Sequence, residues 1–247
     1  MNLFPIEYEE SEKEGQEGQE GKGKPCPIRS ARSYSDEHFK IINEAVQMMI
    51  TAYYHLYGDD STWTIHIMQF ATSYWTSIGH TDNVVMGRTL PAKTHPNHPM
   101  TVWVRTGRQN FIWTATHALE LCNERLRRPL LSGKSPDEHI YRPYIEWFYN
   151  NPPSNDLFIK LSVQSTYTEW TDMPLCMPDQ FKIDPEGNPL DVVQAYRRWV
   201  NHKHNTWYTL TPRNRKLRRK IDWRRVSSSK PNYIVSEPPT ELTFKFT

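Results

Sequence analysis

The chain has 247 residues, 37% of them hydrophobic, nine Trp and thirteen Tyr among them, and a formal net charge of +2. Disordered chains are poor in aromatics, so most of the chain is expected to fold, and it is long enough to bury a proper core. No run approaches 18 apolar residues, which excludes a membrane-spanning helix, and three widely spaced cysteines (Cys26, Cys122, Cys176) exclude a disulfide framework or a paired-cysteine zinc site.

Residues 1–25 carry seven Glu and three Lys, and residues 8–24 are low-complexity Glu, Gly, Gln and Lys. The stretch reads as a disordered acidic tail that contributes nothing to the core. It has neither a basic n-region nor an apolar h-region, so it is not the pattern of a signal peptide. Met1 to Phe4 fit either a short strand or a disordered end. Order is expected from about Pro27.

The first helix is predicted over Asp36 to Tyr57, capped by Ser35, with Ile41, Ala45, Met48, Met49, Ala52 and Leu56 as its apolar stripe. Residues 61–93 fit neither a helical face nor a strand alternation. A second helix is predicted from His98-Pro99 to about Arg127, with Pro99 in the first turn and Gly107 as a weak point. A third runs from Pro136 to Tyr149 behind Ser135. Residues 154–190, rich in Pro and turn residues, read as mostly loop. A fourth helix begins at Asp191 and buries Val192, Tyr196, Trp199 and Val200. The fold class expected is mainly α: a single compact helical domain with long loops over residues 26–225, between the acidic tail and a Pro-punctuated tail at 226–247.

Charge is unevenly spread. Arg197 to Arg225 hold eleven Lys or Arg against one acid, Asp222, interleaved with Trp199, Trp207, Tyr208 and Trp223. Cations that neutralise phosphates beside aromatic faces that stack on bases suit a nucleic acid, double- or single-stranded DNA. A solvated basic face and an acidic protein partner are the alternatives. Arg215, Arg218 and Arg219 lie in the densest part of this stripe, with Arg197 and Arg198 at its start.

Two motifs could carry chemistry. In Thr94-His95-Pro96-Asn97-His98-Pro99, the histidines could bind a metal if His66, His80 or His117 approached, or could simply cap the following helix. Arg105 and Arg108, three apart beyond them, could grip phosphate. The second motif is Asp36, His38, Lys40 and Glu44. Lys40 and Glu44 share a helical face at i, i+4, which permits an ordinary ion pair, or a carboxylate held for acid/base work. No cofactor is expected.

These strings, with Gln47, Trp103, Asn110, Trp113, Met177-Pro178-Asp179 and Ala195-Tyr196-Arg197, resemble the signatures of a family of small proteins from phages and large algal-type viruses. More remotely, the helix order and the Asp-x-His…Glu start resemble endonuclease V-type pyrimidine-dimer DNA glycosylases. Those are compact all-α proteins that flip a base and cut the glycosidic bond with a Glu on the first long helix and an N-terminal amine. The resemblance implies a viral DNA-binding protein acting on DNA bases, in repair or modification, glycosylase-like or base-modifying. Glu44 would be its acid/base, His38 and His98 would position or polarise, and Arg105, Arg108, Arg197 and Arg198 would hold phosphates. Trp103 or Trp113 would receive the flipped base. It further implies a location inside the host cell, cytoplasm or nucleus, or in the virion. The His38-to-Glu44 spacing is one residue shorter here, and Asn43 replaces an Arg. The intervening acidic tail implies that no α-amine reaches the site. A non-enzymatic nucleic-acid-binding or assembly protein is the rival, with the same residues as caps and core.

Overall fold

The computed structural model describes residues 3–9, 23–34, 36–80, 90–131, 133–161 and 169–209, with the backbone alone for Asp36, Glu37 and residues 205–209. The described residues are mainly helical. The helices are α1 (Pro27–Arg32), α2 (Ile41–Tyr57), α3 (Thr62–Ser77), α4 (Pro99–Thr106), α5 (Arg108–Leu130), α6 (Arg142–Asn150), α7 (Asn155–Leu161) and α8 (Val192–Thr209). Short 3-10 turns cover Asp36–Lys40 and Asp179–Phe181. None of the described helices is long and apolar enough to cross a membrane.

Helix α2 is the central element, with Ile41, Ile42, Ala45, Val46, Met48, Met49, Ile50, Ala52, Tyr53 and Leu56 all buried. Such a helix is hydrophobic nearly all round, so it must be enclosed rather than laid on a surface. It packs against α4 and α5, while α3 and α6 pack together and α1 lies on α5. Only the narrow stripe of Asn43, Glu44, Gln47, Tyr54, His55 and Tyr57 leaves the interior.

Several boundaries differ from the sequence reading. Residues Asp36–Lys40 form a 3-10 turn ahead of α2. The expected helix from 98 to 127 is two helices, because the backbone at Gly107 is extended. Asn110 stabilises this break: its Nδ2 donates to the Trp103 carbonyl at 2.8 Å, one of the orphan acceptors at the end of α4. Helix α6 begins at Arg142 rather than 136, with Pro143 in its first turn, where a missing N–H costs nothing. Residues 62–77, unassigned from their pattern, are helix α3. The loop 154–190 contains α7. The α8 start is as expected, Asp191 Oδ1 accepting from Gln194 N at 3.0 Å.

The largest difference is at the N-terminus. Leu3, Phe4 and Ile6 belong to the core, so the expected tail boundary at residue 25 does not hold for residues 3–9 or 23–25. An extended segment inside a helical protein has no sheet to satisfy its backbone, and its polar groups must find other partners. Ser30 Oγ accepts from Ile6 N (3.0 Å) and Glu7 N (3.1 Å), and the Tyr34 hydroxyl donates to the carbonyls of Leu3 and Phe4. Arg197 Nε donates to the Ile6 carbonyl at 2.7 Å and its guanidinium pairs with Glu7 at 3.0 Å. Tyr8 pairs with Pro25 in an antiparallel bridge, flanked by Glu9 N to Lys24 O and Cys26 N to Glu7 O. The rest of the acidic stretch (10–22) and the tail at 226–247 lie outside the described residues.

The N-terminal segment is therefore not dispensable. Phe4→Ala is expected to destabilise the protein by about 3–5 kcal/mol, the cost of removing a buried ring. Urea unfolding checks this, and an unchanged midpoint would mean that Phe4 is not in the core.

Candidate functional site

Glu44 stands at the start of α2, on the one stripe of that helix left open, with 24% of its side chain exposed and Lys40 Nζ at 4.0 Å. Thr94 N donates to Thr51 Oγ1 at 3.2 Å, and that hydroxyl donates onward to the Gln47 carbonyl. The loop carrying His95 and His98 is thereby held along the stripe. Arg105 Nη1 closes the loop from the other side, donating to the Pro96 carbonyl at 2.6 Å.

His98 is the N-cap of α4, its Nδ1 accepting from Met100 N at 3.2 Å. Accepting at Nδ1 leaves the ring proton on Nε2. Burial, helped by the neighbouring His95, lowers the His98 pKa, and Glu44 opposes the shift. Glu44 and His98 therefore lie within electrostatic reach, with the imidazole neutral and its Nε2–H available. His98 thus combines the capping role and proximity to the carboxylate.

Lys203, on α8, completes the cluster and was not singled out from the sequence. Its Nζ lies 4.7 Å from the centre of the Phe4 ring and 4.8 Å from that of Trp199. Burial between these rings, then the positive charge of Lys40, lowers its pKa to about 8, against the pull of Glu44. Four chain segments meet here: the 3-10 turn, α2, the 95–98 loop and α8. The Asp36 to Gln47 spacing could signal the first two. Nothing in sequence distance brings Lys203, some 160 residues on, beside them.

His38 occupies a different position. It is 1% exposed, stacked on Tyr34 at 5.0 Å, edge-on to Phe4 at 5.5 Å and 5.3 Å from the His204 ring. It is a core residue supporting Phe4 rather than a group at the surface. Phe4 and His95 are non-glycine residues with positive φ, 41° and 46°. Such conformations cost on the order of 1–3 kcal/mol and persist where surrounding contacts impose them. Both flank this cluster. Phe4, read from the sequence as part of the tail, lies against Lys203.

Of the described arginines expected to hold phosphate, three bond the protein's own carbonyls. Arg105 is occupied at Pro96. Arg197 anchors the N-terminal segment. Arg198 Nη1 donates to the Ile183 carbonyl. Arg108 is half-buried at the first residue of α5. Arg215, Arg218 and Arg219 lie outside the described residues. Trp103 and Trp113 are not walls for a flipped base: both are buried, their indole N–H groups donating to the Thr171 and Pro25 carbonyls. Trp199 is the aromatic beside Glu44's cluster. Cavities of about 420 Å³ (Tyr53, Tyr57, Trp63, His66, Trp147) and about 520 Å³ (Lys24, Trp170, Asp172, Asp191) lie elsewhere, and Glu44 lines neither. Among the described residues, no group of three His, Cys, Asp or Glu is placed to hold a metal.

Beneath the site the interior is rich in neutral imidazole. His117, fully buried and stacked on Trp113 at 4.8 Å, contacts the Tyr34 hydroxyl at 3.1 Å, and burial drives its pKa down to about 3. Burial likewise lowers His204 to about 4, as it does His139, where the charge of Arg125 adds to the effect. In the unfolded chain these rings take up protons near pH 6.5, so between that pH and about 4 the unfolded state binds more protons than the native one. Stability is complete above pH 6.5 and falls as the solution is acidified. Urea midpoints measured from pH 7 to pH 5 should drop, with His117 alone contributing up to about 2 kcal/mol. A flat profile would contradict neutral burial. No family model matches the chain, and comparison with curated proteins and with solved structures likewise finds no match.

Proposed function

We infer that the protein binds DNA and acts on its bases, as a glycosylase-like or base-modifying enzyme with Glu44 as the acid/base. The observation that carries this reading is the meeting of Glu44, His98, Lys40 and Lys203 at the N-terminal end of the open stripe of α2. A carboxylate at a solvent edge can take or give a proton to a bound base. A neutral imidazole with its proton on Nε2 can donate to a developing negative charge, and the two cations favour a phosphate-bearing substrate. Trp199, packed with Phe181 and His202, offers an aromatic face beside the amine of Lys203. Helix α8, which carries Lys203, leads in sequence into the stripe of cations from Arg213 to Arg225.

One observation favours the non-enzymatic reading. Arg105, Arg197 and Arg198 are all engaged with the protein's own carbonyls, as expected if these residues serve the fold. The two readings separate at Glu44.

Glu44→Gln is isosteric, and its partly exposed pair with Lys40 is worth about 0–1 kcal/mol, so fold and DNA affinity should persist. On a panel of duplexes with damaged or modified bases, wild-type protein should release or alter one base, and Glu44→Gln should lose about 10²–10⁴-fold in rate. Equal rates would reduce Glu44 to a surface ion-pair partner and leave the binder reading. Binding itself is tested by salt. Replacing Arg215, Arg218 and Arg219 together by Ala should flatten the slope of log K against log salt by roughly 2.7, about 0.9 per lost phosphate contact. Affinity independent of salt would exclude DNA as the partner.

A further inference from the structure

We propose that the cavity between the end of α2, the start of α3 and the end of α6 is an aromatic cage for a trimethylammonium group, carried by a choline-type molecule or by a trimethylated lysine side chain. Glu44 does not line this cavity, and the inference goes beyond the DNA-directed reading without resting on it.

Local sequence builds the walls. Tyr53 and Tyr57, four apart, share a face at the end of α2, and their rings stack at 5.0 Å. Gly58, at φ +68°, ends that helix in a conformation that glycine adopts at little cost. The turn that follows returns Trp63, on α3, to 5.1 Å from the Tyr53 ring. Trp147, near the end of α6, lies 5.5 Å from the same ring. Both indoles are inclined to Tyr53, by 51° and 56°, so they stand across it rather than lie flat on it. The Tyr53 hydroxyl donates to the Asn151 carbonyl, and Asn151 Nδ2 donates to the Trp147 carbonyl at 2.8 Å. These bonds fasten the end of α6 to α2, so the walls are set before a ligand arrives.

The chemistry of the lining selects a cation. Tyr53, Tyr57, Trp63 and Trp147 surround about 420 Å³, within the range of about 300–1,000 Å³ usual for small-ligand pockets. Aromatic faces are negative and attract cations. Asp60 adds a carboxylate at the rim, accepting from Thr62 N at 2.8 Å, and its hydrogen bonds with Thr62 hold its pKa below the usual value. The neighbouring ring shows the same arrangement filled from within the chain: Lys93 Nζ lies 4.2 Å from the centre of Tyr54 and 3.7 Å from Asp59. The cavity repeats that pairing of ring and carboxylate, and among the described residues no Lys or Arg lines it. A primary ammonium is strongly hydrated and gives up its water reluctantly. A trimethylammonium has no N–H to leave unpaired, keeps its charge and presents methyl groups to the rings, so aromatic walls favour it. The same faces and the Asp60 carboxylate disfavour phosphates.

Calorimetric titration of the full-length protein tests the cage, with choline and with a short peptide carrying one trimethyllysine. At least one should bind saturably, with Kd of about 1 mM or below. The neutral analogue 3,3-dimethylbutan-1-ol, with carbon in place of the choline nitrogen, and the unmethylated peptide should each bind about tenfold more weakly than their counterparts. Tyr57→Leu removes a half-buried wall and should weaken binding about tenfold. Asp60→Asn, at an exposed residue, should weaken it about two- to fivefold in low salt. If Tyr57→Leu fails to fold, Asp60→Asn and the neutral analogue decide. Tighter binding of the peptide than of choline assigns the site to a methylated protein, and the reverse to a free quaternary amine; either upholds the cage. No saturation by either ligand, equal affinity for the neutral analogue, or affinity unmoved by the variants overturns it. No DNA enters the experiment, so its failure leaves the proposed function untouched, and loss of that function leaves the cage.

Discussion

A buried extended segment in a helical protein must have every backbone polar group matched by a side chain or a turn, and residues 3–9 impose that demand on the rest of this molecule. Ser30 and Tyr34 on either side of the α1 end, and Arg197 on α8, supply the partners. Two come from the α1 end and one from α8, so the segment ties these two parts of the chain together. It also fixes Phe4, whose ring faces His38, Tyr34, Tyr196 and the Lys203 amine. The candidate site is built on this insertion: without Phe4, the amine of Lys203 would have one aromatic wall.

A second constraint comes from charge inside the core. Glu124 and Arg128 are 2% and 0% exposed, and their ion pair at 2.8 Å is extended by Arg127 at 2.6 Å. Neighbouring arginines hold the Glu124 carboxyl below its usual range despite burial. Arg128 also lies over Phe39, 5.0 Å from the ring centre, and reaches the Arg32 carbonyl. Buried pairs of this kind contribute little net stability, because desolvating two charges offsets most of their attraction. Both pairs lie within α5, and it is Arg128, reaching the Arg32 carbonyl and lying over Phe39, that links α5 to the end of α1 and to the 3-10 turn. That places Lys40, one residue from Phe39, relative to α2.

Helix α2 and its stripe were readable from spacing alone. Ile41, Ala45, Met48, Met49, Ala52 and Leu56 recur at helical intervals, and Glu44 falls off that face in any α-helix. The same reasoning locates Asp191 and His98 at helix starts, since an N-cap depends on residues within one turn. The first residues were misread for an equally physical reason. Low-complexity sequence on one side hides three apolar residues, Leu3, Phe4 and Ile6, too few to show a period and without a strand partner to suggest burial. Gly107 was visible as a weak point, but whether a helix bends or breaks there depends on Asn110 reaching back to Trp103. From the sequence, Trp103 and Trp113 fit both a partly buried helix face and the walls for a flipped base. Their indole N–H groups find acceptors in Thr171 and Pro25, which only folding brings near.

The sequence by itself determined the mainly helical class, the apolar stripe of α2, the position of Glu44 off that stripe and the basic stripe that follows Arg197. All of these are local periodicity or local charge, properties that survive without knowledge of neighbours. Tertiary structure alone decided which groups stand around Glu44. Lys203, Phe4 and His98 come from opposite ends and the middle of the chain, and their meeting depends on the insertion of the N-terminal segment between α1 and α8. It also decided the protonation of the interior histidines, because the imidazole pKa follows burial, and burial belongs to the folded assembly of elements rather than to any residue type.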